Sequence, residues 1–145
     1  MTEQDQNQDE SCPECGAPRV DGMTCWEQLG AIGAWEFQNP DLWAEHFLTV
    51  ASYNLQHPAK FTKAALSGLR TAFIERLDQG ISTEVIRRRA AAAYNGKRRV
   101  LKDEAERQSN LRHWQMTIAD VYIPNHPEGA VGWVKKWAAA IRQEL

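Results

Sequence analysis

Every cysteine of this 145-residue chain falls within one short stretch. Cys12-Pro13-Glu14-Cys15-Gly16 opens it and Cys25 follows, a C-x2-C-x9-C spacing. That spacing constrains the fold more than any other feature, because three sulfurs held so close must share one local structure. A turn of the Cys-Pro-x-Cys-Gly type aims backbone amides at its sulfurs, and its glycine tolerates the left-handed geometry that follows. An odd cysteine count argues against a framework of disulfides and for metal or thiol chemistry. A redox pair is an alternative, but such pairs belong at the strand-to-helix turn of a βαβ unit, and no such unit is visible. Another metal, or none, also remains open.

Three thiolates leave one position of a tetrahedral zinc site vacant, and histidine is a standard fourth ligand. The chain has His46, His57, His113 and His126. Helical geometry selects among them. Thr24-x-x-Glu27 reads as a capping box, which places Cys25 at the first position of a helix running to about residue 37. Asn39-Pro40 restarts the chain as a second helix, and Pro58 ends it near Gln56. So short a connection makes the two helices antiparallel neighbours. At a rise of about 1.5 Å per residue, Cys25 falls level with Tyr53, and His57 level with the knuckle near Asp21. His46, eleven residues before His57, lies about 16 Å away along the axis. The expected ligand set for Zn2+ is therefore Cys12, Cys15, Cys25 and His57. Cys25 at a helix N-terminus also gains from the free amides there, which favour its thiolate.

The rest of the chain reads as mostly α: a small helical bundle of about five helices with an N-terminal zinc-knuckle loop. Residues 1–10 are polar and acidic, and are expected to be a disordered tail ahead of a single helical domain over 11–145, with the knuckle at 11–25. A third helix is expected from Thr62 to Gly80, with Ala65, Leu66, Leu69, Phe73 and Leu77 on one face. A fourth runs from Ser82 or Thr83 to the Asn95-Gly96 cap, and a last one from about Glu128 onward carries Val131, Val134, Trp137 and Ile141. Lys97–Arg112 is open between an exposed helix and a loop. Trp114–Ile123, rich in β-branched and aromatic residues, is expected to be extended. The six tryptophans are expected to pack inside.

Two further clusters carry possible chemistry. His46, Thr49, Tyr53 and Gln56 share one face of the second helix, and Glu36 can reach His46 across the hairpin. A Glu36/His46/Tyr53 group suits a general acid/base or second metal site, and equally a satisfied polar network, which Asp120 and His126 could join. Arg87, Arg88, Arg89, Lys97, Arg98, Arg99 and Lys102 form a run with no intervening acid. It can hold a phosphate backbone, nonspecifically and with strong salt dependence, or be a solvated face. The overall charge of -2 points to neither nucleic acid nor membrane. No apolar run is long enough to span a bilayer, and the N-terminus lacks a signal-peptide pattern, so a cytoplasmic location is expected.

The knuckle, Cys25 and the segment His46-Phe-Leu-Thr-Val-Ala-Ser-Tyr-Asn-Leu-Gln-His-Pro58 together resemble a bacterial family classed as a domain of unknown function. Its pattern is an N-terminal CPxCG knuckle followed by an HxxTVxxYxxQHP helix. Thr117-Ile-Ala-Asp-Val121 and the tryptophan-bearing C-terminal helix fit as well. The resemblance implies no activity, but it implies that His46, Tyr53, Gln56 and His57 belong with the cysteines. The expected function is a small zinc-binding interaction or regulatory protein with an unidentified protein partner. The alternatives are a metal-dependent or acid/base enzyme built on Glu36, His46 and Tyr53, and a nucleic-acid binder using the basic run.

Overall fold

The computed structural model describes residues 10–93 and 99–145. The expected acidic tail, the Asn95-Gly96 cap, Lys97 and Arg98 lie outside these residues, apart from Glu10. Among the described residues the protein is helical, with six α-helices and no strand beyond two isolated bridges. They are α1 (Cys25–Glu36), α2 (Pro40–Trp43), α3 (His46–Leu55), α4 (Lys63–Gln79), α5 (Thr83–Ala93) and α6 (Ala130–Glu144).

Local chemistry sets the helix ends. Thr24 and Glu27 close the expected capping box on α1: the Glu27 amide donates to Thr24 Oγ1 and the Thr24 amide to Glu27 Oε1. Asn39 Oδ1 accepts from the amides of Asp41 and Leu42 at the start of α2. Thr62 caps α4, which ends at Gly80 in the left-handed conformation that glycine adopts without strain.

The expected single helix over residues 40–56 is instead two, separated at Ala44 and Glu45. On an unbroken helix His46 would follow Leu42 at i+4 and share its buried stripe. The break keeps Leu42 and Leu48 in the core while the His46 side chain stays 40% exposed. The antiparallel pairing with α1 survives it: Cys25 meets Tyr53 at one end and Glu36 meets His46 at the other.

α3 is the centre of the fold, with α6 on one side and α4 on the other. The inner face of α6 presents Val134, Trp137, Ala138 and Ile141, all fully buried. Each large member stabilises the fold by roughly 1.5–3 kcal/mol through burial. α1 packs against α2 and against a turn of 3-10 helix at Ile118–Asp120. That turn corrects the extended reading of Trp114–Ile123. Thr117 Oγ1 accepts from the Ala119 amide and Asp120 Oδ2 from the Thr117 amide, a capping box that overrides the β-propensity of the neighbours. Lys102–Arg112, within the ambiguous charged segment, has one short 3-10 turn at Glu104–Glu106 and a bridge between Leu101 and Phe61 before it. The tryptophans divide. Trp137 is fully buried, whereas Trp26 is 62% and Trp43 55% exposed.

Candidate metal centre

The knuckle is a backbone-bonded loop. The Gly16 amide donates to the Cys12 carbonyl and the Cys12 amide to the Ala17 carbonyl, each at 3.0 Å. Gly16 sits at φ +79°, where a side chain would be strained. This geometry turns amides onto sulfur: Glu14 and Cys15 donate to Cys12 Sγ at 3.5 Å, and Ala17 to Cys15 Sγ at 3.4 Å. Beyond it, Val20 and Met23 pair across Asp21 and Gly22, both at positive φ. That is the Asp-Gly hairpin turn, a sequence signal the loop reading passed over. Fully buried Gln28 then donates from Nε2 to the carbonyls of Pro18 and Met23, which fastens the hairpin to α1.

Three elements deliver the four expected ligands to one place. The knuckle brings Cys12 and Cys15, the first residue of α1 brings Cys25, and the chain just past α3 brings His57. Their ligating atoms all lie within 4.8 Å of one another. His57 Nε2 is 3.6 Å from Cys12 Sγ and 3.4 Å from Cys25 Sγ. A tetrahedral ion bonded to sulfur at about 2.3 Å and to nitrogen at about 2.0 Å sets those atoms about 3.5 Å apart. His57 Nδ1 lies 2.6 Å from the Tyr53 carbonyl. A carbonyl only accepts, so Nδ1 carries the proton and Nε2 is the nitrogen turned to the sulfurs. That is the orientation a metal-ligating imidazole takes from its outer partner.

Electrostatics favour a cation here. Cys15 and Cys25 hold the Cys12 thiol far below its ordinary value, while Cys12 and Cys25 push the Cys15 thiol far above its own. The three sulfurs cannot all ionise side by side without a positive charge among them. Burial opposes a charged His57 ring, but the Cys12 and Cys25 sulfurs and the Tyr53 carbonyl outweigh it and push the pKa up to about 10. Burial, then Cys25, raises the Tyr53 phenol.

Tyr53 belongs to this centre. Its ring stacks on His57 at 4.0 Å and its hydroxyl sits 3.6 Å from Cys25 Sγ. Tyr53→Phe is expected to leave metal content unchanged and to cost about 1 kcal/mol, the usual net value of one hydrogen bond; a urea titration alongside metal analysis checks it. The expected Glu36/His46/Tyr53 group is therefore divided. Glu36 Oε2 and His46 Nδ1 pair at 2.6 Å, but Tyr53 lies seven residues along from His46, about 10 Å by helical rise. Thr49 bonds its own helix at the Glu45 carbonyl. Gln56 is a structural cross-link that the polar stripe did not reveal: Nε2 donates to the Met116 carbonyl and Oε1 accepts from Trp137 Nε1. Asp120 caps its own turn and His126 pairs with Glu128, so neither adds to the His46 pair.

In the basic run, Arg87, Arg88 and Arg89 lie exposed on α5. Arg88 pairs with Glu84, Arg89 with Glu75, and Arg99 with Asp103. Three of these charges thus have a carboxylate within 4 Å.

Fold and site together define a helical protein with a Cys3His cluster that could hold a metal ion. The chain belongs to the family described as "Family of unknown function (DUF5946)", which matches residues 10–145. Comparison with curated proteins and comparison with solved structures each return no match. Among the described residues, no helix is long and apolar enough to cross a membrane.

Proposed function

We propose that the protein is a cytoplasmic zinc protein of non-enzymatic, interaction or regulatory type, with a structural Zn2+ held by Cys12, Cys15, Cys25 and His57. The observation that carries this reading is the gathering of three sulfurs and an oriented Nε2 within 4.8 Å from three separate elements. Four protein ligands complete a tetrahedron and leave no position for a substrate, as in structural rather than catalytic zinc sites. The ion would tie the knuckle to the start of α1 and the end of α3, where the hydrogen bonds described above already converge. Trp26, exposed beside the centre with Lys60 Nζ 5.5 Å from its ring centroid, supports a contact with a protein partner there.

Metal analysis of the purified protein is expected to give one zinc per chain. A tight chelator is expected to cause cooperative loss of helix signal, reversed by adding zinc. A chain that folds equally well and melts at the same temperature after complete zinc removal would sink the proposal. The catalytic reading has less support because Tyr53 stands with Cys25, away from Glu36 and His46. The nucleic-acid reading has less because Arg88, Arg89 and Arg99 are already paired.

A further inference from the structure

At the other end of α1 from Cys25, a cleft of about 340 Å3 is lined by Gly33, Glu36, Phe37, Pro40 and Trp43. Two of its walls are aromatic and unburied: Phe37 is 93% and Trp43 55% exposed. An exposed phenyl and an exposed indole thus line one small cleft, and the core does not use them. Glu36 brings a carboxyl to the same cleft, its side chain only 4% exposed. His46 orients that carboxyl through Nδ1 and stacks its ring on Trp43 at 4.7 Å. Gly33 adds room: a Cβ built on it meets nothing within 4 Å.

The ionisable side chain in the cleft lining is the acid Glu36. From Gly33 to Glu45 the sequence has no Lys or Arg, but it contains Glu36, Asp41 and Glu45. Asp41 and Glu45 flank Trp43 on either side in the chain. A cleft lined by two aromatic side chains and a carboxylate, with further acids next to it in the chain, is complementary to an organic cation. Desolvation raises the Glu36 carboxyl above its ordinary value, with His46 pulling it down, and a bound cation would offset that burial cost further.

We propose that the cleft between the end of α1 and α2 binds an alkylated ammonium group, with Phe37 and Trp43 facing the cation and Glu36, held by His46, as its counter-charge. The head group can belong to a free small molecule or to a methylated lysine side chain; the recognition chemistry is the same. Zinc at the Cys3His centre is not required for this reading, since eleven residues of α1, about 16 Å, separate Cys25 from Glu36.

The test is a titration of the intact protein with choline, followed by NMR at the backbone amides of residues lining the cleft, which every variant below retains. The control is 3,3-dimethylbutan-1-ol, which has the same shape without the charge. Choline is expected to bind saturably and at least about tenfold more tightly than the neutral analogue, with affinity falling as salt rises. Trp43→Ala and Phe37→Ala alter exposed side chains and are each expected to weaken choline binding several-fold while the melting temperature holds. Glu36→Gln is expected to remove the preference for the charged ligand. Gly33→Leu fills the cleft in a helix-favouring way and is expected to abolish binding without loss of stability, so the test stands even if Glu36→Gln folds poorly. A trimethyl-lysine peptide that binds more tightly than choline assigns the head group to a protein partner, and the reverse order assigns it to a small molecule. Equal binding of choline and its neutral analogue, no saturable shift at tens of millimolar choline, or unchanged affinity in Trp43→Ala overturns the proposal.

Discussion

Cys25→Ser is expected to cost at least about 4 kcal/mol of stability, a large share of the roughly 5–15 kcal/mol typical of a whole domain. Serine nearly matches cysteine in volume and can still bond Tyr53, so packing explains no more than about 1 kcal/mol of that loss. The remainder is what the proposed zinc would contribute. A structural zinc site contributes about 10–16 kcal/mol of apparent binding energy in small zinc modules, and where the site does not exist in the unfolded chain that energy appears as folding energy. Among the four candidate ligands Cys25 is the one that sits on α1, so its loss would cut the ion's direct link between the knuckle and that helix. The Gln28 bonds to Pro18 and Met23 would remain. Urea unfolding with matched zinc, together with zinc content, measures the effect. A loss below about 1 kcal/mol with zinc retained would show that the ion does not hold the fold.

The second large effect is expected at Trp137, fully buried on α6 against α3. Trp137→Ala removes the largest side chain of the core, for about 3–5 kcal/mol. It also leaves Gln56 Oε1 without its donor inside the protein, for a further 1–3 kcal/mol or so. Trp137→Phe separates the two contributions, since it keeps most of the ring and loses the N–H. Its expected cost is about 1–3 kcal/mol, most of which should vanish in a Gln56→Leu background, where Trp137→Phe strands no further acceptor. Denaturant midpoints at constant slope read both variants. If Trp137→Phe proves neutral, the Gln56 bond contributes nothing and the core alone holds α6.

Much of this was legible in residue order, because it depends on neighbours in the chain. The α1 capping box needs only Thr24 and Glu27, three residues apart. α4 begins and ends where Thr62 and Gly80 require. The α6 stripe follows from helical spacing alone. The coincidence of His57 with the cysteines was also readable, because helix rise is a constant and the hairpin is short. Other features were misjudged where two local signals competed. At residues 117–120 the capping box beat the β-branched side chains around it. At residues 44–45 the helix breaks with no proline or glycine to mark it, so residue order carries no signal for the break. The Asp21-Gly22 turn is a local signal too, since it needs only those two residues at positive φ.

By itself, then, the sequence determined a helical chain with a Cys-Cys-Cys-His set that helix geometry could bring together. Both conclusions rest on short-range rules: capping, periodicity and rise per residue. Only the tertiary structure decided which polar residues share a neighbourhood. It placed Tyr53 on the Cys3His cluster, gave Gln56 to Met116 and Trp137, and left the Glu36–His46 pair beside a cleft lined by two exposed aromatic side chains. The physical reason is that helical spacing fixes the direction in which a side chain leaves its own helix. What it meets depends on where other elements dock, and residues 56, 116 and 137 are joined only after the core between them has closed.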